Sequence, residues 1–497
     1  MYTYDRNSGA TRVVALAVYS LTMADRSSVY RYEDRIISDL RQLIAIPSVR
    51  GEAEPNAPYG VEPVRALEFV LDRGRSLGFA TKNVANVAGH VEFGSTGPLI
   101  SVLTHLDVVP AGDGWEHDPF GGTIEDGCVF GRGAADDKGP AIASLYVLKA
   151  FADEVPDPTA RIRLIFGTNE ESGMGGVRRY FESEELPDFG FSPDAGYPLY
   201  NREMGIVNIS LSTRQSGRSI VTELSGGEAL NMVANEARAK ISPEWAELAG
   251  RVVTDVDEKG SVEHRLSIAE AGDSTIVHAR GISAHGGRPA AGVNAISYLV
   301  DAISEIANAA ELEEGESPDT FEPEIVALRR LIGYETRGDS LGIATRDMIS
   351  GELSVNWGTM EIKNRKITVG LNIRYPVSAD FNEISKALKR RAVRTGFTVS
   401  DDHHLEPLFI PEDSPLVHKL LSAYSTVTGE EAAPLSMSGG TYARMLGNRG
   451  VAFGAGFPGE IQNAHQPEEH ISISSLMRHS EISLQALFEL ADVEGTK

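Results

Sequence analysis

The chain has 497 residues but only one cysteine, Cys128. A disulfide within the chain is therefore impossible, and this composition is typical of a reducing compartment such as the cytoplasm. With no second thiol and a place in a glycine-containing turn, Cys128 is a poor candidate for a nucleophile. We expect a cytoplasmic protein whose chemistry does not depend on sulfur.

Long apolar runs and positive charge are scarce as well. No stretch reaches the roughly 18 apolar residues that a membrane-spanning helix needs, and the mildly apolar residues 13–24 are interrupted by polar ones. Lys and Arg number 46 against 71 Asp and Glu, which gives a net charge of −25. Such a charge repels phosphates and anionic lipid surfaces, so we expect neither a nucleic acid nor a membrane as partner. Residues 1–28 are interpreted as an N-terminal extension.

The residues that are present describe a globular protein with a large core. Hydrophobic residues make up 41% and charged residues 24% of the chain, and the length allows two or three domains. In the first third, helical periodicity at residues 32–45, 64–77 and 138–151 alternates with apolar runs at residues 99–103 and 161–166. Helices that alternate with strands indicate an α/β sheet, whose sites lie at the strand ends.

The pattern changes after about residue 203. Alternating residues at 206–212 and 274–279 predict antiparallel strands, and helical patterns are found around residues 228–241 and 293–310. The acidic segment 311–322 predicts an exposed loop. These observations indicate an α+β region. Two more helices are expected near the end of the chain, at residues 414–427 and 473–490.

Histidine and acidic residues follow the apolar runs of the first third. His105 and Asp107 come directly after the run at residues 99–103, and because one residue separates them, both face the same side of an extended backbone. Glu170 and Glu171 follow the run at residues 161–166. Adjacent side chains diverge, so one glutamate can bind a metal while the other moves a proton. Taken singly, such pairs are more often ordinary surface or core residues.

Three further residues complete the set of candidate ligands. Asp136 lies just before the helix at residues 138–151, Asp194 follows Pro193, and His465 lies far downstream in the segment AHQPEE. Each alone is typical of a helix cap, a turn or a hydrogen-bonded histidine. Imidazole and carboxylate groups without thiolates suit zinc, manganese or cobalt. The combination of these groups, each beside a strand or a helix, indicates a metal site.

Nine segments carry a specific resemblance to a known family. They are THLDVVPAG, GWEHDPFGG, FGRGAADDKGP, GTNEESG, SPDAGYP, GISAHGGRPAAGVNA, LNIRYP, SGGTYAR and AHQPEE, which span residues 105–469. Together they resemble the carboxypeptidase G and carnosinase family of dinuclear metallopeptidases, especially its dipeptidase V branch. The resemblance implies a mixed-sheet α/β catalytic domain in two parts, residues 29–203 and 398–497. An α+β lid domain, residues 204–397, would be inserted between them.

The resemblance also implies two divalent metal ions, most simply Zn²⁺, with Mn²⁺ or Co²⁺ as alternatives. His105 and Asp194 would bind one ion, Glu171 and His465 would bind the second, and Asp136 would bridge the two. Three carboxylates against the four positive charges of two ions leave the site net positive. A positive site suits the stabilisation of a developing oxyanion.

Other residues of the resemblance would support these ligands. Asp107 would be the partner of His105, and Glu170 would be the general base that takes a proton from a water activated by the two metals. A cis peptide bond between Asp136 and Asp137 is implied as well.

Outside the metal site, the resemblance implies contacts with the substrate. His285, in GISAHGG, would donate to the oxyanion, and Asn231 would bind polar groups of the substrate. Arg374, in LNIRYP, would bind the C-terminal carboxylate, with main-chain donors of Gly440 and Thr441 nearby. Without the resemblance, these are residues of a turn, a helix start, a surface strand and a loop before a helix.

The function that the resemblance implies is hydrolysis of the peptide bond in dipeptides or very short peptides. An N-acyl amino acid deacylase would use the same metals and the same Glu170, and only the lid and the pocket walls would distinguish it. A non-catalytic metal- or peptide-binding relative would lack the base, yet Glu170 is present. Family members with short lids dimerise and take the lid histidine from a partner. The long lid here favours a monomer that supplies His285 itself, with a homodimer as the alternative.

Overall fold

The computed structural model describes residues 25–259, 265–271 and 274–491. Of the predicted N-terminal extension, residues 1–24 lie outside this range. Residues 26–28 are not an appendage, because they begin the 3₁₀-helix Arg26–Tyr32. Arg26 of this helix donates from Nε to Glu481 at 3.0 Å, and Val29 is fully buried. The folded part therefore begins earlier than the predicted limit at residue 28.

Helices in the described residues occur at most of the predicted places. The helices predicted at residues 32–45, 64–77 and 138–151 are confirmed, and so are those at residues 293–310, 414–427 and 473–490. No helix of the described part is both long enough and apolar enough to cross a bilayer. The α-helices are Glu33–Ile44, Val61–Ser76, Lys138–Glu154, Gly175–Phe181, Ala246–Lys259, Ala295–Glu314, Pro323–Leu331, Phe381–Arg394, Pro415–Thr428 and Ile473–Ala491. Further 3₁₀-helices are Pro243–Trp245, Pro289–Ala291 and Tyr442–Leu446.

The first sheet is mixed and has nine strands within the described residues. Its buried centre is the strand Leu99–His105, which runs parallel to both of its neighbours, Arg161–Gly167 and Phe189–Ser192. The carboxyl ends of these three strands therefore meet at one edge of the sheet. In order across the sheet the strands are Ala80–Val84, Ala88–Phe93, Arg161–Gly167, Leu99–His105, Phe189–Ser192, Gly450–Ala452, Tyr200–Glu203 and Leu408–Phe409, and Leu435–Met437 pairs with Tyr200–Glu203.

In the part of the chain that the structure describes, the second sheet has eight strands, all antiparallel, and a separate hydrophobic core. The helices Ala246–Lys259, Ala295–Glu314 and Pro323–Leu331 contribute to that core. In order the strands are Leu266–Ala271, Ser274–Arg280, Glu236–Ile241, Val221–Gly226, Ser354–Lys363, Lys366–Tyr375, Gly205–Arg214 and Thr398–Leu405. A mixed α/β sheet with an α+β insertion was the predicted fold class.

The last strand of the second sheet shifts the C-terminal limit of the inserted domain. Thr398–Leu405 pairs with Gly205–Arg214 over its whole length, although the predicted limit placed residues from 398 onward in the other domain. We therefore propose that the inserted domain comprises residues 205–405. Smaller sheets join Thr123–Glu125 and Cys128–Phe130 to His470–Ser472, Ala195–Gly196 to Ala455–Gly456, and Arg346–Asp347 to Gly351–Glu352.

The structure corrects two predictions for the middle region. Residues 228–241 are not a helix, because Glu236–Ile241 pairs as a strand with Val221–Gly226. Its buried residues alternate with more exposed ones, so pairing with neighbouring strands overrides the helix-forming tendency of Glu, Ala and Lys.

The acidic segment 311–322 is also not simply an exposed loop. The helix Ala295–Glu314 continues into it and ends at Gly315, whose φ is 68°. Glu311 is buried, and its carboxylate accepts hydrogen bonds from the main chain of Thr320 at 2.8 Å and of Phe321 at 3.2 Å. These bonds fold the segment back onto the helix.

Candidate metal centre

The ends of the three parallel strands bring the predicted ligands to one place. His105 is the last residue of its strand and is almost fully buried. The glutamates Glu170 and Glu171 follow the neighbouring strand Arg161–Gly167, and Asp194 follows Phe189–Ser192. The register of the sheet therefore places these side chains around a single edge.

The two nitrogens of the His105 imidazole have different partners: one is hydrogen-bonded to the main chain and the other lies near two carboxylates. Nδ1 lies 2.9 Å from the main-chain oxygen of Asp107, to which it donates. Nε2 then carries the lone pair, and it lies 2.9 Å from Oδ1 of Asp136 and 3.7 Å from Oδ1 of Asp194. Burial opposes protonation, but these two carboxylates raise the pKa of His105 well above its usual value. A lone pair that faces carboxylates requires a cation between them, either a proton or a metal ion.

His465 shares one acid, Asp136, with His105 and contacts a second one, Glu171. Its Nε2 lies 3.0 Å from Oδ2 of Asp136 and 3.0 Å from Oε1 of Glu171. Hydrogen bonding to these two carboxylates raises the pKa of His465 to about 11. Asp136 thus directs one oxygen to each histidine, which is the arrangement of a bridging ligand. Burial opposes ionisation of Asp136, but the two imidazoles lower its pKa below the usual range.

The donor set fits divalent cations. Ligand atoms of His105, Asp136 and Glu171 lie within 4.8 Å of one another, and so do those of His105, Glu170 and Asp194. Burial, opposed only in part by His105, raises the pKa of Asp194 to about 7. So many carboxylates in a partly desolvated site are costly unless cations balance them. Nitrogen and oxygen donors without sulfur suit zinc, manganese or cobalt.

Asp107 has a different contact from the one predicted. Its carboxylate Oδ1 lies 3.8 Å from Nδ1 of His105, because the hydrogen bond of that nitrogen goes to the main-chain oxygen of Asp107 instead. The carboxylate accepts from the main-chain nitrogens of Glu170 at 2.9 Å and Glu171 at 3.2 Å. Burial raises the pKa of Asp107 to about 6. Asp107 therefore holds the turn that carries both glutamates.

The loop around Asp136 shows one feature that was implied and one that was missed. The peptide bond between Asp136 and Asp137 is cis. Buried Glu469, which was not predicted, accepts at Oε1 from the main chain of Ala135 and Asp136, both at 3.1 Å, and at Oε2 from Arg132 at 2.6 Å. Glu469 follows His465 in the segment AHQPEE, but the sequence does not tell which glutamate of the pair is buried.

Arg374 is buried, which excludes the alternative of a surface strand residue. Its Nε donates to Oδ1 of Asn372 at 2.8 Å, and Nη1 donates to the main-chain oxygen of Ser438 at 3.1 Å. Among the described residues, no carboxylate forms an ion pair with it. Burial, together with the positive charge of Arg444, lowers its pKa to about 10. A buried guanidinium without a counter-ion is a ready partner for an anion.

His285 belongs to the inserted part of the chain, where it forms an isolated β-bridge with Met232. Its Nδ1 accepts from the main chain of Gly287 at 3.2 Å, which leaves Nε2–H as a free donor direction. Burial lowers the pKa of His285, and the positive charges of Arg374 and His465 lower it further. Asn231 is exposed and supports this loop through its main-chain oxygen, which accepts from Gly286 at 2.6 Å. His285 thus lies close enough to Arg374 and His465 for their charges to act on it.

The segment with Gly440 and Thr441 is held from inside. Thr441 donates from Oγ1 to Oε1 of Glu203 at 2.6 Å and from its main-chain nitrogen to Oε2 at 3.1 Å. Both donors of Thr441 are therefore used by Glu203 rather than offered to a substrate. A Cβ added at Gly440 would lie 2.6 Å from Nη2 of Arg444, so this position excludes a side chain. The predicted role of Gly440 in binding stays a prediction.

Comparisons with known proteins agree with this arrangement. The model of peptidase family M20/M25/M40 matches residues 102–489. The chain is 36% identical to the candidate dipeptidase YtjP of Bacillus subtilis over 475 residues, covering 93% of this chain and 98% of that protein. It is 34% identical to the candidate dipeptidase SH1171 of Staphylococcus haemolyticus over 485 residues, covering 95% of this chain and 100% of that protein.

The fold is also similar to solved structures. Human carnosine dipeptidase 1 matches with a TM-score of 0.59 at 17% identity, over 94% of this chain and 98% of that one. The dipeptidase Dug1p of Saccharomyces cerevisiae matches with a TM-score of 0.56 at 15% identity, over 94% of this chain and 99% of that one. The predicted fold class and the predicted family are confirmed.

Proposed function

The chain belongs to peptidase family M20/M25/M40, a family of metallopeptidases, and on that premise we propose that it hydrolyses the peptide bond of dipeptides or very short peptides. The observation that carries the proposal is the convergence of five side chains beside Glu170. These are His105, Asp136, Glu171, Asp194 and His465. Both relatives carry the name of candidate dipeptidases, and these names support the proposed substrate class.

We propose two divalent cations, most simply Zn²⁺, as the cofactors. His105 and Asp194 would hold one, Glu171 and His465 would hold the other, and Asp136 would contact both through its two oxygens. The support for this division is that Asp136 directs Oδ1 to His105 and Oδ2 to His465. When bound, such ions polarise a carbonyl and lower the pKa of water.

Glu170 would act as the general base. Burial and the neighbouring charge of Asp194 raise its pKa well above the usual value, although His105 opposes this. A carboxylate with a raised pKa can take a proton from the attacking water and pass it to the leaving amine. The bond from its main-chain nitrogen to Asp107 keeps its turn fixed while the side chain accepts and releases the proton.

Arg374 and His285 would orient the substrate. A guanidinium has five N–H donors, and the hydrogen bonds to Asn372 and Ser438 use two of them. The remaining donors of Arg374 can bind a C-terminal carboxylate as a fork. The Nε2–H of His285 would donate to the oxygen of the scissile carbonyl as negative charge develops there. Asn231 and Gly440 stay candidates for polar contacts with the substrate.

We propose a cytoplasmic monomer as the working form. The support is that the positive charge of His465 helps to lower the pKa of His285 in the same chain, so one chain brings His285 near the proposed ligands. A single cysteine fits a reducing compartment.

The test uses protein stripped of metal and then supplied with Zn²⁺, Mn²⁺ or Co²⁺. Hydrolysis of Ala-containing dipeptides is measured against hydrolysis of N-acetyl and N-succinyl amino acids. Faster turnover of dipeptides supports the proposal, and preference for the acyl compounds would identify a deacylase. Glu170→Gln should keep its bound metal while turnover falls by ~10²–10⁴-fold. Unchanged turnover in Glu170→Gln would refute the assigned base.

A further inference from the structure

The chain crosses between the two sheets at two places that lie close together. The first crossing is Met204, between the strands Tyr200–Glu203 and Gly205–Arg214. The second comprises residues 406–407, between the strands Thr398–Leu405 and Leu408–Phe409. Any change in the relative placement of the sheets must therefore alter the backbone at these two crossings.

One side chain, Arg444, contacts both crossings. It belongs to the 3₁₀-helix Tyr442–Leu446. Its Nη1 donates to the main-chain oxygen of Glu406 at 3.0 Å, and its Nη2 donates to the main-chain oxygen of Met204 at 3.3 Å. The planar guanidinium thus fixes two segments that are separated by the whole second sheet in sequence.

A buried ion pair holds this guanidinium in place. Nε of Arg444 lies 2.9 Å from Oε2 of Glu203, and the two side chains are 3% and 0% exposed. The same carboxylate also accepts both donors of Thr441. An ion pair without solvent contact must be fully hydrogen-bonded to be tolerated, and these bonds meet that condition.

The network continues to the proposed substrate-binding arginine. Nη2 of Arg444 donates to the main-chain oxygen of Gly439 at 3.3 Å. The residue before Gly439 is Ser438, and its main-chain oxygen accepts a hydrogen bond from Arg374 of the second sheet at 3.1 Å. Arg374 is therefore connected to the first sheet through the loop that Arg444 and Glu203 hold.

We propose that Arg444, paired with Glu203, is a positioning residue that sets where Arg374 lies relative to the metal centre. By fixing both crossings and the loop at residues 438–441, it determines the placement of the second sheet. The expected effect on KM rests on the proposed function, but the expected effect on the placement of the two sheets does not. Lysine is a poor replacement, because it lacks the planar fork in which Nη1 contacts one crossing and Nη2 the other.

The main variant is Glu203→Gln combined with Arg444→Met, which leaves no unpaired charge in the interior. Arg444→Lys is a second variant, in case the first does not fold by circular dichroism. The matched control is Glu92→Gln combined with Arg163→Met, since this pair is also largely buried in the first sheet, at 2.5 Å, but lies away from the crossings.

Placement of the sheets is measured by fluorescence energy transfer in metal-free protein. Because Cys128 is the one native cysteine, Cys128→Ser provides a background for two labels, at Glu182→Cys near the first sheet and Glu361→Cys in the second. Both positions are exposed. The Glu203/Arg444 double variant and Arg444→Lys should broaden the distribution of distances between the labels, and the control should not.

Kinetics of dipeptide hydrolysis in the metal-loaded enzyme provide the second readout. A misplacement of about 1 Å can reduce kcat/KM by ~10²-fold, and we expect most of that loss in KM because Arg374 binds the substrate. A wild-type distance distribution in both Arg444 variants would overturn the inference, whatever the activity. A broadened distribution with unchanged KM would overturn the link to Arg374. If the wild type does not hydrolyse dipeptides but the distribution still broadens, the proposed function fails and the positioning role stands.

Discussion

Replacement of Arg374 by methionine tests the proposed contact with the substrate most directly. The guanidinium is buried, and the described residues provide no carboxylate to pair with it. Methionine has similar length and no charge, so it removes a desolvated cation without leaving another charge unpaired. We therefore expect the free energy of unfolding to stay the same or to rise. Activity, in contrast, should fall steeply.

The expected loss follows from the donors that Arg374 has left. The bonds to Asn372 and Ser438 leave enough N–H groups for two hydrogen bonds to a carboxylate. Each hydrogen bond to a charged group contributes about 1.5–3 kcal/mol, so two contribute about 3–6 kcal/mol. Since about 1.4 kcal/mol corresponds to a tenfold change, kcat/KM should fall by ~10²–10⁴-fold. The kcat/KM of Arg374→Lys should lie between those of the wild type and Arg374→Met, because lysine keeps the positive charge but lacks the guanidinium fork.

The assay is a cycle with two enzymes and two substrates. kcat/KM is measured for the wild type and for Arg374→Met, with a dipeptide and with the same dipeptide carrying a C-terminal amide. For the wild type, kcat/KM should be lower on the amide than on the acid by nearly the whole ~10²–10⁴-fold factor. For Arg374→Met, the two values of kcat/KM should differ by less than about tenfold. If Arg374→Met loses the same factor on the acid and on the amide, Arg374 does not bind the carboxylate.

Three further predictions concern other residues. Glu469→Gln should weaken Zn²⁺ binding by ~10–100-fold in equilibrium dialysis, because Glu469 fixes the backbone of Asp136, the proposed bridging ligand. The control Glu468→Gln should bind Zn²⁺ like the wild type. If both variants weaken binding equally, Glu469 does not have this role. His285→Gln should reduce kcat by ~10²–10³-fold. Mixing it with Glu170→Gln should restore no activity, because we propose that each chain supplies its own histidine; restored activity would indicate a site shared between two chains. Burial lowers the pKa of His479 to about 3, so the unfolded state takes up a proton below about pH 6.5 while the folded state does not. The stabilisation from neutral His479 is complete above that pH and is lost as the pH falls toward 3, by about 2 kcal/mol at pH 5. In urea unfolding, the free energy of unfolding should therefore fall less between pH 7.5 and pH 5 in His479→Gln than in the wild type. An identical fall in both proteins would refute the assignment.

The convergence of acidic and histidine side chains at one edge of the first sheet could be predicted because strand ends are visible in the sequence. Short apolar runs before His105 and Glu170 indicated parallel strands, and parallel strands deliver their following residues to one edge. The helices of the first third were also predictable, since their periodicity is strong. The identity of the family depended on the nine matching segments, as residue types alone left a metal site without a defined reaction.

Other features depend on contacts that a sequence does not display. The residues of Glu236–Ile241 are good helix formers, but they pair as a strand. Arg374 follows apolar residues, and only the fold shows that it is buried without a counter-ion. Likewise, adjacent Glu468 and Glu469 are equivalent in sequence, whereas only Glu469 lies beneath Asp136. Tertiary partners decided each of these cases.

The strand Gly450–Ala452 lies inside the first sheet, between Phe189–Ser192 and Tyr200–Glu203. During synthesis, the ribosome therefore completes the entire second sheet before it makes the strand that fills this gap. His465 emerges later still. A nascent chain can fold the inserted domain early, but it cannot gather all five proposed ligands until His465 has been translated. Binding of the proposed metal ions is then a late step in the maturation of the protein, and a chain that ends before His465 would lack one of the five proposed ligands.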